Sequence, residues 1–344
     1  MAQYLLRRVL QTIPLLVLIS FGLFLLMNSI GDPLSVYAES RKPPTGKARE
    51  ELIRRLGLDK PLPEQYLVWL IGNDWMLTDV RGDGTLMEPG TRHGVLRGDL
   101  GTSSVTRRDA KLRIQERLPN TLILMVPSYL IVILLSLSIG IYSAIRQYSL
   151  LDNIVTTISF VLYSLPIFFI ALMVIYIFGV QFQQWGLPSL PVAGMYDPRE
   201  PETLGGLLQH MVLPVFCLVA IQVGGYVRYI RSSMLEVLSQ DYIRTARAKG
   251  LEERRTIFVH ALKNAAMPLV TLIGLDLPFL LAGAIVTERI FAWPGLGRLF
   301  IESLERSDIT VMMAILMLLS IAVVVFQLLT DVVYTWLDPR IRYT

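Results

Sequence analysis

Six nearly unbroken apolar runs divide the chain, at roughly 9–30, 120–145, 154–180, 211–229, 269–286 and 311–336. A bilayer core takes about 20 apolar helical residues to cross, so each run is long enough for one span, the fourth and fifth only just. None shows the sustained two-residue alternation of a barrel strand. In lipid only helices or closed barrels satisfy the backbone, so the pattern predicts an all-α integral membrane protein of six transmembrane helices. The first run follows Arg7 and Arg8, as a secretory leader would. It exceeds the usual leader length and ends without an Ala-x-Ala-like site, so it reads as a retained helix.

The largest polar piece is 31–119. KAREELIRRLG, residues 47–57, sets Leu52, Ile53 and Leu56 on one helical face with Gly57 as its stop, and PLPEQYLVWL predicts a second short helix. NDWMLTDVRGDGTLMEPGTRHGVLRGDLGTS is rich in Gly and Asp and predicts turns or a hairpin. Asp79, Asp83, Glu88 and His93 fall in it, but not at the alternating spacing of a calcium loop, which favours turn chemistry over a metal. After the fifth run, TERIFAWPGLGRLFIES turns at Pro294, Gly295 and Gly297. It is either an ordinary hairpin loop or a partly re-entrant feature at an external mouth, touching a partner through Phe291, Trp293, Pro294 and Gly295.

Composition agrees with a membrane protein. Of 344 residues 53% are hydrophobic and 17% charged, with mean hydropathy +0.52, whereas soluble domains carry about 25% charged residues. The formal charge of +4 is too small to argue for nucleic acid, so the placement of charge matters more. Arg7, Arg8, Arg146, the basic stretch 241–270, Arg340 and Arg342 share one side of a six-span layout. Loops 181–210 and 287–310, where acidic residues match or exceed basic ones, share the other. The positive-inside rule then puts both termini and the basic stretch in the cytoplasm, and 31–119, too long to obey the rule, outside. A lone cysteine, Cys217, allows no internal disulfide and sits in an apolar run as a packed thiol.

No phosphate loop, nucleophile elbow, HExxH pair or CxxC occurs, and the three histidines lie in separate elements. The chain carries no catalytic constellation. Its most conspicuous intramembrane group is Asp276, in LIGLDLPFLLAGAIVTE, two residues before a helix-loosening Pro278. A charge at a helix centre costs roughly 2.5–3.5 kcal/mol on insertion scales, so Asp276 either lines a path or is structurally paired. Glu288 and Arg289 fall near the external end, within reach of each other or of headgroups. DYIRTARAKGLEERRTIFVHALKNAAMPLV, residues 241–270, predicts a short helix, a stop at Gly250 and a second helical run over 252–263. Its apolar stripe is too narrow for a membrane-surface helix, and it lacks a fold to present nucleic acid. It fits a docking helix in which Tyr242, Ile243 and Ala246 make the contact and Arg244 and Arg247 steer. The plainer alternative is that its charges only set topology.

These residues resemble the coupling loop of binding-protein-dependent ABC importer permeases, closest to the dipeptide/oligopeptide type. YLLRRVLQTIPLL, GLDKPLPEQYLVWL, GDLGTS, RLPNTLIL, SLPIFFIAL, YVRYIRSSMLEVL, FAWPGLGRL and YTWLDPRIRY resemble the same subfamily, in order and nearly end to end. Three departures stand out. The motif's Glu is absent, so Ala246 and Gly250 carry over directly. Residues 72–97 look like an insertion, and Asp276 stands where a neutral polar residue is expected.

The resemblance implies a type I permease-like fold. Residues 1–30 would be the cytoplasmic N-terminus and first helix, and 31–119 an extracytoplasmic region. Residues 120–337 would be a five-helix core carrying the cytoplasmic coupling loop 231–268, and 338–344 a cytoplasmic tail. It implies a transport subunit with no cofactor of its own, in a bacterial or archaeal inner membrane. Its implied partners are a homologous second permease, two ATP-binding subunits holding ATP and Mg, and an extracytoplasmic solute-binding protein. It implies docking to the ATPase through Asp241, Tyr242, Ile243, Arg244, Thr245, Ala246, Arg247, Lys249 and Gly250. Relatives of this type import dipeptides, oligopeptides, glutathione, nickel or oligosaccharides. A self-contained secondary transporter is the rival class, but no internal repeat supports it.

Overall fold

The computed structural model describes residues 2–30, 45–79, 88–282 and 285–337. The tail 338–344, the middle of the 72–97 stretch with Asp83, and the first part of 31–119 lie outside them. The chain forms two compact units. One holds Met1–Val9, Leu118–Leu299 and Ala322–Thr344; the other holds Leu10–Arg117 and Phe300–Ile321.

In the second unit, the first helix, Ala2–Ile30, receives Leu62–Ile71 through an aromatic cluster. Tyr66 packs edge-on to Phe21 and Phe24 at 5.1 and 5.6 Å, and its hydroxyl meets Ser20 Oγ at 2.7 Å. The other expected helix runs Lys47–Arg55 and stops at Gly57, whose φ of +68° lets its N–H and that of Leu58 bond back to Arg54 and Ile53. The expected hairpin is a two-residue pairing, Leu77–Thr78 against Glu88–Pro89. Asn73 locks its base, donating to Arg55 O and accepting from Arg92 N. Among the described residues no three His, Cys, Asp or Glu side chains gather as a metal site. Buried Asp308 accepts from Ser103 Oγ, Ser104 N and Arg113, fastening GDLGTS to the start of Ile309–Leu337.

In the first unit the apolar runs become helices longer than their hydrocarbon. Ala110–Ile145 has 36 residues and Leu204–Leu238 has 35. At 1.5 Å per residue each is about 50 Å long, against a bilayer core of about 30 Å. Their inward faces make the main core, where Leu124, Tyr129 and Val132 meet Leu218, Tyr226, Ile230 and Met234. A second cluster packs Ile170, Ala171 and Val174 on Leu213, Cys217 and Phe291.

The expected third span, 154–180, is not one helix. Leu150–Ser164 ends, Leu165 is extended, and a new helix starts behind Pro166, running from Ile167 to Gln184 through a π-turn. Proline drives the residue before it out of the helical region and has no N–H to continue the ladder. By length and composition four described helices can cross a membrane: Ala110–Ile145, Ile167–Gln184, Leu204–Leu238 and Ile309–Val333. There are five if Glu253–Ala265 and Leu269–Pro278, bent by 51°, count as one broken span.

Beside the hairpin, Asp74 accepts from Arg97 Nη1 and Nη2 and meets His93 Nδ1 at 2.9 Å. The Arg97 guanidinium lowers this carboxyl from 3.8 to about 2. A depressed carboxyl stabilises the fold above its unfolded pKa and loses that contribution as pH falls through the folded value, here from about 4 to about 2. Pepsin cleavage around Asp74 is therefore expected to rise across that window in the wild type and to be high already at about pH 4 in Asp74→Asn. Fragment mass spectrometry checks this, and indistinguishable profiles would overturn it.

Candidate functional site

The basic stretch forms the expected helix, stop and helix. Asp241–Ala248 follows Leu204–Leu238 after only Ser239 and Gln240, and the N–H groups of Ile243 and Arg244 bond to Gln240 O. Gly250, at φ +75° with open space around its Cα, reverses the chain. Glu253–Ala265 then runs back, with a π-turn over Thr256–Ala261. Arg247 closes the corner with two bonds to Glu253, at 2.6 and 3.1 Å.

The short helix has two unlike faces. Ile243, at 0% exposure, joins Met234, Ile257, Ala261 and Ala265 in the unit's core, and Ala246 is buried on the same side. The expectation that these two meet a partner is corrected: their side chains already hold the helix to its own protein. The outward face carries Asp241, Tyr242, Arg244, Thr245, Arg247 and Lys249, all exposed. Tyr242 keeps its ring outside while its hydroxyl accepts from Asn264 Nδ2 at 3.0 Å. The mount reaches further back. Ser233 Oγ donates to Ala265 O at 2.9 Å, and Arg231 forks onto buried Asp152 at 2.7 and 2.9 Å while Tyr148 N donates to the same carboxylate. One turn earlier Arg228 lies 4.7 Å from the ring centres of both Phe160 and Tyr163. At Gly224 an added Cβ would stand 2.6 Å from Ser159 O, so only glycine allows these helices so close. Leu150–Ser164 and the lower half of Leu204–Leu238 are thereby clamped together. Sequence reasoning missed the clamp, because Asp152 and Arg231 are 79 residues apart.

Asp276 is partly exposed on Met267–Ala282. It accepts a hydrogen bond from the Tyr226 hydroxyl, which meets the Tyr129 hydroxyl at 2.7 Å. Three helices thus bring one carboxylate and two phenols to one point.

The loop after the fifth run is clasped to the chain's own helices. Trp293 and Phe291 are buried, Trp293 Nε1 donates to Asn120 O at 2.8 Å, and Asn120 Nδ2 donates to Pro294 O at 2.9 Å. Phe291 and Trp293 are therefore withdrawn as partner contacts, because their rings fill this protein's own core. Gly295 is buried too, and Pro294 is only partly exposed. Glu288, expected to reach Arg289 or the headgroups, is fully buried and accepts from Thr121 Oγ1 and Arg298 N. A Cβ on Gly295 would stand 2.4 Å from its carboxylate, which explains the glycine better than a turn requirement does.

Comparison with known proteins gives a consistent result. A family profile described as "Binding-protein-dependent transport system inner membrane component" matches residues 136–343, and its N-terminal companion profile matches 1–125. The chain is 38% identical to the oligopeptide transport system permease protein AppB of Bacillus subtilis (strain 168), over the whole of both chains. It is 36% identical to the dipeptide transport system permease protein DppB of Escherichia coli (strain K12), over 100% of this chain and 99% of that one. Among solved structures it resembles an inward-facing MetNI methionine ABC transporter, with TM-score 0.51 and 18% identity over 66% of this chain and 97% of that one. At that identity the likeness concerns the fold.

The two faces of the short helix separate experimentally. Ile243→Ala deletes a fully buried side chain and is expected to cost about 2–4 kcal/mol. Tyr242→Ala, on the exposed face, is expected to cost under about 1 kcal/mol. Thermal unfolding of the purified protein in detergent checks the order, and equal losses would overturn the inward assignment of Ile243.

Proposed function

We propose, since the chain belongs to the family of binding-protein-dependent transport-system inner-membrane components, that it is the permease subunit of an ATP-driven importer of peptides. The observation that carries this reading is the full-length similarity to two peptide permeases, joined to an outward-facing basic helix mounted on a buried isoleucine. The chain is an integral membrane protein and a transport subunit. In this reading it has six spans in a bacterial or archaeal inner membrane, both termini cytoplasmic, and 31–119 outside. ATP and Mg are bound by two separate ATPase subunits, a homologous second permease completes the path, and an extracytoplasmic solute-binding protein delivers the cargo.

The mechanism follows from how the helix is mounted. A nucleotide shifts a two-state equilibrium only by its differential affinity for the two states, so ATP binding in the partner must be transmitted as a displacement. The exposed face of Asp241–Lys249 receives that displacement. Buried Ile243 and Ala246 pass it to the core, and the short link Ser239–Gln240 passes it to Leu204–Leu238. The Asp152–Arg231 fork and the Arg228 stack carry Leu150–Ser164 along, and the break at Pro166 lets that helix move without dragging Ile167–Gln184. Asp276 is assigned to the translocation path.

Tyr242→Asp with Arg244→Glu alters only the outward face. In the reconstituted complex it is expected to abolish peptide-stimulated ATP hydrolysis while membrane insertion and thermal stability stay near wild type. Stimulation that persists unchanged would remove this face from the docking surface. If a wild-type complex transports another solute class and no peptide, the substrate assignment is wrong.

A further inference from the structure

The hydrogen bonds around Asp276 run in one direction. An ionised carboxylate only accepts, so the Tyr226 hydroxyl spends its single proton on Asp276 Oδ2. The 2.7 Å bond between the phenols is then donated by Tyr129, whose other acceptor, Ile273 O, is farther away at 3.5 Å. Both protons point toward Asp276, and each polarised O–H strengthens the next. Both O–H dipoles then face the charge of the ionised carboxylate.

That charge is not fully answered by the protein. Asp152 takes three donors and Asp308 takes an arginine, a serine and a backbone N–H. Among the described residues, Asp276 has one donor on Oδ2, none on Oδ1, and no lysine or arginine beside it. It also stays partly exposed, while Tyr129 and Tyr226 are buried behind it. A purely structural carboxylate within a span would be closed off or paired with a cation. This one is braced from behind and open in front.

From this we infer that Asp276, held by Tyr226 and Tyr129, is a station in the path for an organic ammonium group, and in particular for the free α-amino group of a peptide. The inference rests on the reading of the chain as a peptide permease. A primary ammonium supplies up to three N–H donors and a positive charge, which are what Oδ1 and the uncompensated carboxylate lack. The contact adds a charge-assisted hydrogen bond to cargo bearing a free amine and nothing to cargo in which that amine is acylated.

The test uses the complete complex in proteoliposomes, with alanyl-alanine and N-acetyl-alanyl-alanine as cargo. Selection by the binding protein is the same for every permease variant and cancels when the free-to-acetylated transport ratio is compared between them. Asp276→Asn is expected to lower that ratio about tenfold, the value of one charge-assisted hydrogen bond, and Asp276→Glu to restore most of it. Tyr226→Phe keeps the carboxylate but removes its brace, and is expected to raise the apparent KM for the free peptide more than for the acetylated one. If Asp276→Asn fails to assemble, the Tyr226→Phe comparison decides alone. Equal losses on both cargoes, or no change, would overturn the station and leave the peptide reading standing. A wild-type complex that hydrolyses ATP but moves neither peptide overturns both.

Discussion

A carboxylate buried in hydrocarbon is tolerable only when donors close around it, and this constraint organises the chain more than any other. Asp152, Glu288, Asp308 and Asp331 are each at least nine-tenths buried. Asp152 reaches Arg231, Glu288 reaches Thr121, Asp308 reaches Ser103 and Arg113, and Asp331 takes Arg8 at 2.7 Å. In every case a side-chain donor lies far away in sequence. Removing a partner from such a buried pair costs about 3–5 kcal/mol, because the charge is left stranded. The greasy faces of these helices would tolerate many relative positions, since lipid is as apolar as leucine. The buried charges tolerate only one.

Set against those four, Asp276 is the exception to this constraint. It lies in the same kind of helix and obeys the same chemistry, yet has a single donor among the described residues. The glycines act on a different scale. Gly224 and Gly295 matter because a Cβ would strike Ser159 O or the Glu288 carboxylate, so they preserve the close approaches within which the polar pairs form.

Much of the architecture was legible in the chain, for identifiable reasons. Helix, stop and helix across 241–265 could be read because Gly250 and its flanking charges act locally, as did Gly57 after Leu56. The break at Leu165–Pro166 was legible in principle, since proline acts on its neighbour, but the apolar run on both sides concealed it. What could not be read was which way a side chain points within an eight-residue helix. Ile243 and Tyr242 are adjacent and both bulky, and only the core formed by Met234, Ile257 and Ala265 decides that one is inside. Phe291 and Trp293 mislead for the same reason. An aromatic beside Pro-Gly suits an exposed turn as well as a buried one until Asn120 supplies the acceptor for the indole. Glu288 gave no local signal, because its donors Thr121 and Arg298 belong to other helices.

The length of Leu204–Leu238 has a mechanical consequence. At 35 residues it measures about 52 Å, so a tilt of about 5° around its middle moves each end by roughly 2 Å. The short helix Asp241–Ala248 hangs from one end. The phenol that braces Asp276 sits near the middle, at Tyr226, where the same tilt produces a displacement well under the length of a hydrogen bond. A lever with its fulcrum beside the polar point can swing widely at its tip while the grip on Asp276 is kept, released only when the pivot itself slides.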